Sequence, residues 1–484
     1  MADVDIAIIG AGAAGLSVAA VSAQLGLKVV LVERGRMGGD CLNYGCVPSK
    51  ALLAAAHAAA EARRADQYGV RLPPPVIDWA AVQAHVQGAI ARIAPMDSVE
   101  RFSGMGVEVV QGSAHFTRPD EIEVGGRRIR FRRCVIAAGS AAVVPSMPGL
   151  DQVPWLTNET LFELAEPPGH LVILGGGPIG LEMAQAHARL GCLVTVLEAA
   201  PRVAAREDEA LVAPVRAALL ADGVVLREGV KVARFEPLDP DRPKAERGVV
   251  AVLENGERIA GSHLLLAVGR APRLAGLDLE AGQVAHSPRG ISVAGTLRST
   301  SNRRVWAVGD IADVAGLGPR AFTHVASQHA GVLVRSMLFR LPGGGVDYTA
   351  LPRVTYTDPE LCQVGMTQAE AEAAGHQGVR VLDWHLAEND RAISEVRTEG
   401  LARLVLDGKG KLLGGGITAP RAGEMAGVLG LMLGRRLPLS ALAGLVVPYP
   451  TLAEALKRAA GSYYTAKLFG RVSRGVVRLL KWLP

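Results

Sequence analysis

Short apolar runs that end at a glycine or an acidic residue recur along the chain and predict buried strands. Val4–Ile9 leads into a glycine turn, an Ala-rich helical stretch and a second apolar run at Lys28–Glu33. The same order returns with Leu171–Leu174 and Leu193–Glu198. Continuous apolar runs joined by helices are typical of parallel sheets that are covered on both faces. The pattern therefore predicts an α/β fold with a repeated strand–helix–strand unit.

Further apolar runs complete these units. Cys134–Gly139 and Leu264–Gly269 are predicted to return as strands beneath the first and the second unit, respectively. Val305–Asp310 is another strand, and it ends in an aspartate. Because an aspartate after a strand is more often a helix cap than a ligand, its position alone assigns Asp310 no role.

Both units carry the G-x-G-x-x-G turn of dinucleotide-binding sites, and each second strand ends in a glutamate. The residues are Gly10, Gly12, Gly15 and Glu33 in the first unit, and Gly175, Gly177, Gly180 and Glu198 in the second. Such glycines allow a tight turn, a close approach of pyrophosphate to the helix N-terminus and close helix–strand packing. The glutamate accepts hydrogen bonds from a ribose diol, and at Glu198 it would repel the extra phosphate of NADPH, which favours NADH. Two copies predict two dinucleotide sites.

Four residues separate Cys41 from Cys46, so the pair can close a small disulfide ring. Lys50 lies one helical turn beyond Cys46, on the same helix face. The pair also follows the first glycine turn closely, so we expect a cofactor nearby. Together these residues predict a dithiol that takes electrons from a bound cofactor and passes them to a substrate.

Composition narrows the class of protein. The 484 residues leave room for about three domains. Aromatic residues make up only 4% of the chain, and the net charge of +5 is concentrated beyond Ala455, which argues against nucleic acid as a partner. The N-terminus shows no export signal, no apolar run is long enough to cross a membrane, and five cysteines do not suggest a disulfide framework. We expect a cytoplasmic enzyme whose disulfide is transient and catalytic.

The motifs resemble those of the class I pyridine nucleotide–disulfide oxidoreductases, the family of dihydrolipoyl dehydrogenase, glutathione reductase and mercuric reductase. Gly38–Lys50, Val308–Asp310 and Tyr356–Glu360 carry the likeness beside the two glycine turns. The resemblance implies two Rossmann-like nucleotide-binding domains and a C-terminal α+β dimerisation domain. Its expected boundaries are 1–150 and 285–345 for FAD, 151–284 for NAD(P), 346–466 for dimerisation, and 467–484 for a basic amphipathic tail.

The resemblance also assigns cofactor residues. Those implied for FAD are Gly10, Gly12, Gly15, Glu33, Gly39, Lys50, Ala114, Gly139, Asp310 and Thr323. Those implied for NAD are Gly175, Gly177, Gly180, Glu198 and Gly269. By the same likeness, Asp310 would bind the ribitol–phosphate region, and Thr323 would lie near the pyrimidine edge of the flavin.

The catalytic roles likewise follow from the resemblance. Cys46 would be the charge-transfer thiolate beside the flavin, with a pKa lowered by a helix N-terminus and neighbouring positive charge. Cys41 would be the attacking thiol. Lys50 would approach the flavin N5 and pair with Glu182. Cys134, Cys192 and Cys362 lie in apolar contexts and are predicted to be buried and inert, and His57, His85 and His115 show no metal-ligand spacing, so no metal site is assigned.

One motif departs from the family pattern. Relatives that reduce organic disulfides carry His-Pro-Thr-x-x-Glu, in which the partner subunit supplies the acid–base histidine. Here Tyr449 takes that place and Glu454 is kept, so the two would complete the partner's active site in a homodimer. A phenol is a poor proton shuttle at neutral pH, whereas metal transfer depends on soft thiolates. Mercuric reductases also place a tyrosine here; Tyr449 as a packing residue is the alternative.

The resulting prediction is a mercuric-reductase-like flavoenzyme with NADH as the favoured electron donor. Electrons would pass from NAD(P)H to FAD, to the Cys41–Cys46 disulfide, and then to a small disulfide or a thiophilic metal ion. The chain shows no cysteine after Cys362 and no N-terminal metal-binding extension, so metal-delivery elements are not expected. A dihydrolipoyl dehydrogenase-type enzyme that oxidises a dithiol with NAD is the first alternative. A flavin-loaded scaffold or binding subunit with little turnover is another.

From Lys467 onward, apolar and basic residues alternate at steps of three and four, which predicts an amphipathic helix. The apolar set is Leu468, Phe469, Val472, Val476, Leu479, Leu480 and Leu483, and the basic set is Lys467, Arg471, Arg474, Arg478 and Lys481. A uniformly basic polar face makes residues 467–483 a candidate for peripheral contact with the inner membrane face. The alternative is a helix packed on its own dimer with a solvated basic face.

Overall fold

The apolar run that begins the sequence is an internal strand of a parallel sheet in a computed structural model of the chain. The structure describes residues 2–483, without the side chain of Ala466. The strands are β1 (Val4–Ile9), β2 (Val29–Glu33), β3 (Val107–Gln111), β4 (Ala114–Arg118), β5 (Glu121–Val124), β6 (Arg127–Ile136), β7 (Ser140–Ala142), β8 (His170–Leu174), β9 (Leu193–Glu198), β10 (Val225–Glu228), β11 (Val232–Pro237), β12 (Val249–Leu253), β13 (Arg258–Gly261), β14 (His263–Leu266), β15 (Arg270–Pro272), β16 (His286–Ser287), β17 (Gly290–Val293), β18 (Val305–Ala307), β19 (Ala312–Val314), β20 (Pro352–Thr355), β21 (Glu360–Gly365), β22 (Arg380–His385), β23 (Leu401–Leu406) and β24 (Leu412–Ala419). The helices are α1 (Ala13–Gln24), α2 (Gly39–Asn43), α3 (Cys46–Arg64), α4 (Trp79–Ile93), α5 (Val99–Gly104), α6 (Pro178–Arg189), α7 (Glu209–Ala221), α8 (Thr323–Leu333), α9 (Gln368–Ala373), α10 (Asp390–Ser394), α11 (Ala422–Gly434), α12 (Leu439–Ala443), α13 (Glu454–Leu468) and α14 (Arg471–Leu480).

The chain forms two compact units, each built from separate segments. The first comprises residues 2–55, 76–175 and 232–347, and the second comprises 56–75, 176–231 and 348–483. The domain boundaries expected from the family resemblance stay a prediction. Met1 and Pro484, at the outer ends of the expected FAD domain and tail, lie outside the described residues.

In the first unit, β1 lies between β2 and β6 and pairs with both in parallel. The register aligns Ile9 with Val32 on one side and with Ile136 on the other. β3 and β18 extend the parallel part of the sheet, and β5 and β4 continue it in antiparallel fashion. The side chains of Ile6 and Ile8 are fully buried. The predicted return of the Cys134 run beneath the first unit is confirmed by the pairing of β6 with β1.

The second repeat has the same order of elements. In the first unit β8 pairs in parallel with β14, and the register aligns Leu174 with Leu266. The predicted return of the Leu264 run is therefore confirmed. In the second unit β9 pairs in parallel with β10, and α6 begins directly after Gly177. Each glycine turn thus connects a buried strand to a helix, as the apolar pattern predicts.

The second unit also contains a five-stranded antiparallel sheet in the order β20-β21-β24-β23-β22. Its core includes Leu404 and Ile417 from the sheet, Leu429 from α11 and Leu456 from α13, all almost fully buried. An antiparallel sheet packed against helices is an α+β arrangement. The predicted fold class, with nucleotide-binding α/β elements and a later α+β part, is confirmed.

The predicted amphipathic helix begins later than expected. Lys467 and Leu468 belong to the end of α13, and Gly470 is the N-cap residue of α14. The helical stretch is therefore interrupted at Phe469 and Gly470, which corrects the prediction of one continuous helix from Lys467. Glycine lowers helix propensity, although Gly475 remains inside α14. Within residues 2–483, no helix combines the length and apolar character needed to cross a bilayer.

Candidate active site

The first glycine of each turn occupies the same backbone position. Gly10 has φ of +105° and Gly175 has φ of +111°, a region that residues with a side chain rarely adopt. A Cβ atom on Gly10 would lie 2.4 Å from the carbonyl oxygen of Ala137, and one on Gly175 would lie 2.5 Å from that of Ala267. Any other residue at these positions would meet both backbone strain and a backbone clash.

The middle glycine of each turn faces open space at a helix N-terminus. Gly12 is the N-cap residue of α1 and Gly177 that of α6, and no side chain caps either helix. A Cβ atom on Gly12 would have only the Cα of Gly39 near it, at 3.9 Å, and one on Gly177 would meet no atom within 4 Å. Uncapped N–H groups that face open space are what a phosphate group requires, so both turns fit a dinucleotide.

The two predicted ribose-binding glutamates also hold their own glycine turns. Oε2 of Glu33 accepts the N–H of Ala11 at 2.6 Å, and Oε2 of Glu198 accepts the N–H of Gly176 at 2.6 Å. The other carboxylate oxygen of each accepts a backbone N–H two residues further on, at 2.8 and 2.6 Å. Because a carboxylate offers about four acceptor positions, both can still bind ribose hydroxyls. Sequence reasoning missed this role, although the equal spacing in both repeats was a signal for it.

Gly39 brings the dithiol segment against the first glycine turn. It begins α2 with φ of +61°, and a Cβ atom there would lie 2.7 Å from the Cα of Gly12. Cys41 follows on α2, and Cys46 begins α3. The close glycine contact therefore fixes the dithiol segment beside the first glycine turn.

The environment of Cys46 stabilises a thiolate. Both Cys41 and Cys46 are free thiols, and the Cys46 sulfur lies 3.3 Å from Oγ1 of Thr323. The hydrogen bond from the Cys41 thiol lowers the pKa of Cys46 to about 6, against the effect of burial, and Thr323 and Lys50 act in the same direction as Cys41. Donation to Cys46 raises the pKa of Cys41. The family resemblance indicated a low pKa for Cys46 and a neighbouring positive charge, which Lys50 supplies. It placed Thr323 only near the flavin and gave it no contact with the Cys46 sulfur.

The remaining cysteines are buried, as predicted. Cys134 lies within β6 and Cys362 within β21, while Cys192 precedes β9. Burial raises the pKa of Cys192 to about 11 and that of Cys362 to about 12, and it also raises the pKa of Cys134. All three thiols are therefore protonated at neutral pH.

Asp310 lies in a polar cluster that sequence reasoning did not detect. Its Oδ2 accepts a hydrogen bond from Oγ of Ser140 at 2.6 Å, and Nε of Arg270 donates to the same hydroxyl at 2.8 Å. Arg270 also forms an ion pair with Asp40 at 3.1 Å. Burial raises the pKa of Asp310 because it disfavours the charged carboxylate. A ligand hydroxyl that donates a hydrogen bond to this carboxylate would replace part of the lost solvation. Gly139, next to Ser140, has φ of +68° and open space at its Cβ position.

The other predicted cofactor residues have separate places in the fold. Ala114 is buried at the start of β4, Gly180 is buried within α6, and Gly269 has φ of +132° after β14. On α6, Oε1 of the buried Glu182 accepts the N–H of Tyr356 at 3.0 Å. Nζ of Lys50 lies 3.4 Å from Oγ of Ser49, and its pairing with Glu182 stays a prediction.

Tyr449 is an exposed hydrogen-bond donor. Its hydroxyl donates to Oδ2 of Asp390 at 2.9 Å, and this bond raises the pKa of the phenol. Glu454 begins α13 and accepts from Nη2 of Arg458 at 2.7 Å. The phenol therefore holds its proton more firmly than a free tyrosine does. The predicted contribution of Tyr449 and Glu454 to a partner's site stays a prediction.

His57 belongs to a polar cluster around the buried Asp358, although it has no metal-ligand spacing in the sequence. Its ring nitrogen lies with carboxylate oxygens of Glu61 and Asp358, all within 4.8 Å of one another. Arginines saturate these carboxylates: Asp358 pairs with Arg189 at 3.0 Å and also with Arg397. Burial opposes the charge of Asp358, but the arginines lower its pKa to about 2. The cluster is an ion-pair network rather than a set of vacant ligands.

A dithiol at a helix N-terminus, fixed beside a dinucleotide turn, defines a disulfide oxidoreductase of the flavoprotein class. Residues 4–330 match the family described as pyridine nucleotide-disulphide oxidoreductase, and residues 351–460 match the dimerisation domain of that family. The chain belongs to the pyridine nucleotide–disulfide oxidoreductases, which are FAD-dependent enzymes. The family predicted from the sequence motifs is confirmed, and the dimerisation domain indicates a homodimer.

Known relatives span most of the chain. It is 37% identical over 471 residues to a mercuric reductase from Streptomyces lividans, a match that covers 95% of this chain and 96% of the relative. It is 34% identical over 465 residues to a dihydrolipoyl dehydrogenase from Thermus scotoductus, covering 94% and 96%. A solved structure of the Cu(II) complex of the HOCl-induced flavoprotein disulfide reductase RclA from Escherichia coli is similar with a TM-score of 0.82 and 27% identity, covering 94% of this chain and 99% of that one.

Proposed function

We propose that this enzyme uses NADH, FAD and the Cys41–Cys46 pair to reduce a thiophilic metal ion, with a small disulfide as a poorer acceptor. The observation that carries the proposal is the contrast between two proton-bearing groups. Cys46 readily loses its proton, whereas Tyr449 holds its proton firmly through Asp390, at the position where the family members that reduce organic disulfides carry a histidine. Cys46 is therefore a good soft ligand, whereas Tyr449 is a poor proton donor.

Both cofactors have residues suited to hold them. The first glycine turn with Glu33 would bind the adenosine and pyrophosphate of FAD. Asp310, beside Ser140, would accept hydrogen bonds from hydroxyl groups of FAD. The second glycine turn with Glu198 would bind the nicotinamide cofactor. When bound, FAD would supply two-electron transfer from a nicotinamide hydride to a disulfide.

The proton balance of the reaction distinguishes the acceptors. Reducing an organic disulfide to a dithiol consumes two protons, so a positioned proton donor speeds the reaction. Reduction of Hg(II) consumes none: NADH and Hg(II) give NAD⁺, H⁺ and Hg(0). Soft metal ions bind thiolates and release the thiol proton, so Cys41 needs no external base once the metal binds. The raised pKa of Tyr449 impairs only the first reaction.

An acceptor screen monitored by NADH oxidation tests the proposal. The wild-type holoenzyme should respond to thiol-buffered Hg(II) more strongly than to lipoamide, and Cys41→Ser or Cys46→Ser should abolish both responses. Tyr449→His should raise lipoamide turnover by about a hundredfold, the usual scale of general acid–base catalysis. Tyr449→Phe is the matched control and should retain the Hg(II) response.

The dihydrolipoyl dehydrogenase relative supports a second candidate function, the oxidation of a dithiol with NAD. Faster wild-type turnover with lipoamide or dihydrolipoamide than with Hg(II) would favour that function and reject the metal acceptor. If every acceptor fails while FAD is bound, the chain is a flavin-loaded binding subunit instead.

A further inference from the structure

The helix α14 separates apolar from basic side chains on opposite faces. At 100° per residue, the apolar face covers an arc of about 100° and the basic face an arc of about 60° on the other side. The apolar residues are Val472, Val476, Leu479 and Leu480, and the basic residues are Arg471, Arg474 and Arg478. Every one of these side chains is exposed in the structure.

The apolar face continues beyond both ends of the helix. Phe469 is 61% exposed on one side, and Leu483 is 65% exposed on the other. Trp482 lies between the apolar and basic faces and is 81% exposed, and Nζ of Lys481 lies 4.9 Å from its ring centroid. Within the helix, Val472 and Leu479 are 81% and 76% exposed. A contiguous apolar strip of this kind is uncommon on a free surface and indicates a binding surface.

We propose that α14 binds in the plane of an anionic lipid bilayer, with its apolar face in the acyl boundary and its arginines at the headgroups. The charge supports this partner, because residues 455–484 contain seven Lys or Arg residues and no Asp or Glu. Helices that lie on membranes combine such a basic face with Trp, Phe and Leu on the other. Trp482 also suits the headgroup level, where amphipathic rings accumulate.

Other occupants match only part of this surface. Nucleic acid would neutralise the arginines but leave the apolar face in water. A second copy of the chain would need to cover the strip, but the match to the family's dimerisation domain ends at residue 460, before α14 begins. A bilayer is the partner that satisfies both faces at once.

Vesicle flotation of the holoenzyme tests this proposal. The enzyme should float with vesicles of equal phosphatidylglycerol and phosphatidylcholine, but not with pure phosphatidylcholine, and binding should fall as salt is raised. Arg474→Glu/Arg478→Glu and Val472→Ser/Leu479→Ser should each lower the vesicle partition coefficient by about tenfold or more. NADH-dependent activity should stay unchanged in both variants, which shows that they are folded.

Matched substitutions elsewhere serve as controls. Arg435→Glu/Arg436→Glu changes the charge equally at exposed positions, and Val70→Ser/Leu72→Ser removes two exposed apolar side chains. Both controls should float like the wild type. Absence of wild-type flotation, or equal flotation of wild type and the α14 variants, would overturn the proposal. A change from dimer to monomer on sedimentation in the α14 variants, without vesicle binding by the wild type, would instead assign the strip to a second copy.

Discussion

At the scale of single residues, Cys41 and Cys46 differ in how firmly each thiol holds its proton. The Cys41 thiol donates to Cys46, so the hydrogen bond favours the thiolate on one sulfur and the thiol on the other. Thr323 adds a second hydrogen bond to the Cys46 sulfur from a distant part of the sequence. The pair is therefore asymmetric before any substrate arrives.

The lowered pKa of Cys46 predicts how the reactivity of its thiol depends on pH. Because the thiolate is the nucleophile, alkylation of Cys46 by iodoacetamide in the dithiothreitol-reduced enzyme should stay fast above about pH 6 and fall below it. Thr323→Val removes one donor and should move this inflection to higher pH. Peptide-level mass spectrometry measures the rate at Cys46. Thr300→Val, at an exposed hydroxyl, is the control, and an unchanged inflection in Thr323→Val would contradict the role of Thr323.

Part of this residue chemistry could be predicted from sequence. The Cys41–Cys46 spacing, the position of Lys50 and the helix that begins at Cys46 are local, so they are visible in a short window. Thr323 could not be assigned to the sulfur, because 277 residues separate it from Cys46 and only the fold brings them together. The same holds for Ser140 and its contact with Asp310.

At the scale of elements, the two strands that flank each glycine turn were predicted within one residue, because buried parallel strands are continuous apolar runs. The predicted runs that begin at Cys134, Leu264 and Val305 each extend three residues beyond the end of the observed strand. Two features could not be predicted from a local sequence pattern. The break before α14 falls at Phe469 and Gly470, and the sequence offers both Gly470 and Gly475 as possible break points within one helical pattern. The network around Asp358 joins α3, α6 and the segment before β23, and no local pattern indicates which of many arginines will meet one buried carboxylate.

The Asp358 network should contribute strongly to stability. Asp358→Asn removes the charge that faces Arg189 and Arg397, and loss of one member of a buried ion pair costs about 3–5 kcal/mol. Because its folded pKa is depressed to about 2, the contribution is present above pH 4 and disappears as pH falls from about 4 to 2. Urea unfolding at several pH values measures this. Glu236→Gln, in an exposed pair, should change little, and an equal loss in both variants would refute the special role of Asp358.

Gly39 should be required where the dithiol segment meets the first glycine turn. Gly39→Ala would combine φ of +61° with a Cβ placed 2.7 Å from the Cα of Gly12. We expect loss of bound FAD and a lower melting temperature, with a cost of roughly 1–3 kcal/mol from backbone strain alone. Gly88→Ala, on α4 with open space around its Cβ, should be neutral or slightly stabilising. Normal FAD content in Gly39→Ala would show that the turn can shift without consequence.

At the scale of the whole molecule, the chain uses one glycine-turn design twice. The first and second repeats agree in the φ of the first glycine, in the open N-terminus of the following helix and in the glutamate that accepts a backbone N–H at 2.6 Å. The roles of the two repeats can therefore be compared by making the same substitution at equivalent positions in each. Any difference in outcome then reports on the cofactor and not on the local fold.

Glu33→Gln and Glu198→Gln form such a pair, since each removes one charge and weakens the same backbone contacts. If the first repeat binds FAD, Glu33→Gln should lower the FAD content of the purified enzyme and leave the preference between nicotinamide cofactors unchanged. If the second binds NADH, Glu198→Gln should retain FAD but raise the ratio of kcat/KM for NADPH over NADH by about tenfold, because one negative charge no longer repels the 2′-phosphate. Fluorescence of released FAD and steady-state kinetics with both nucleotides measure the two outcomes. A wild-type enzyme that already prefers NADPH would refute the role of Glu198, and exchanged phenotypes would assign the repeats to the opposite cofactors.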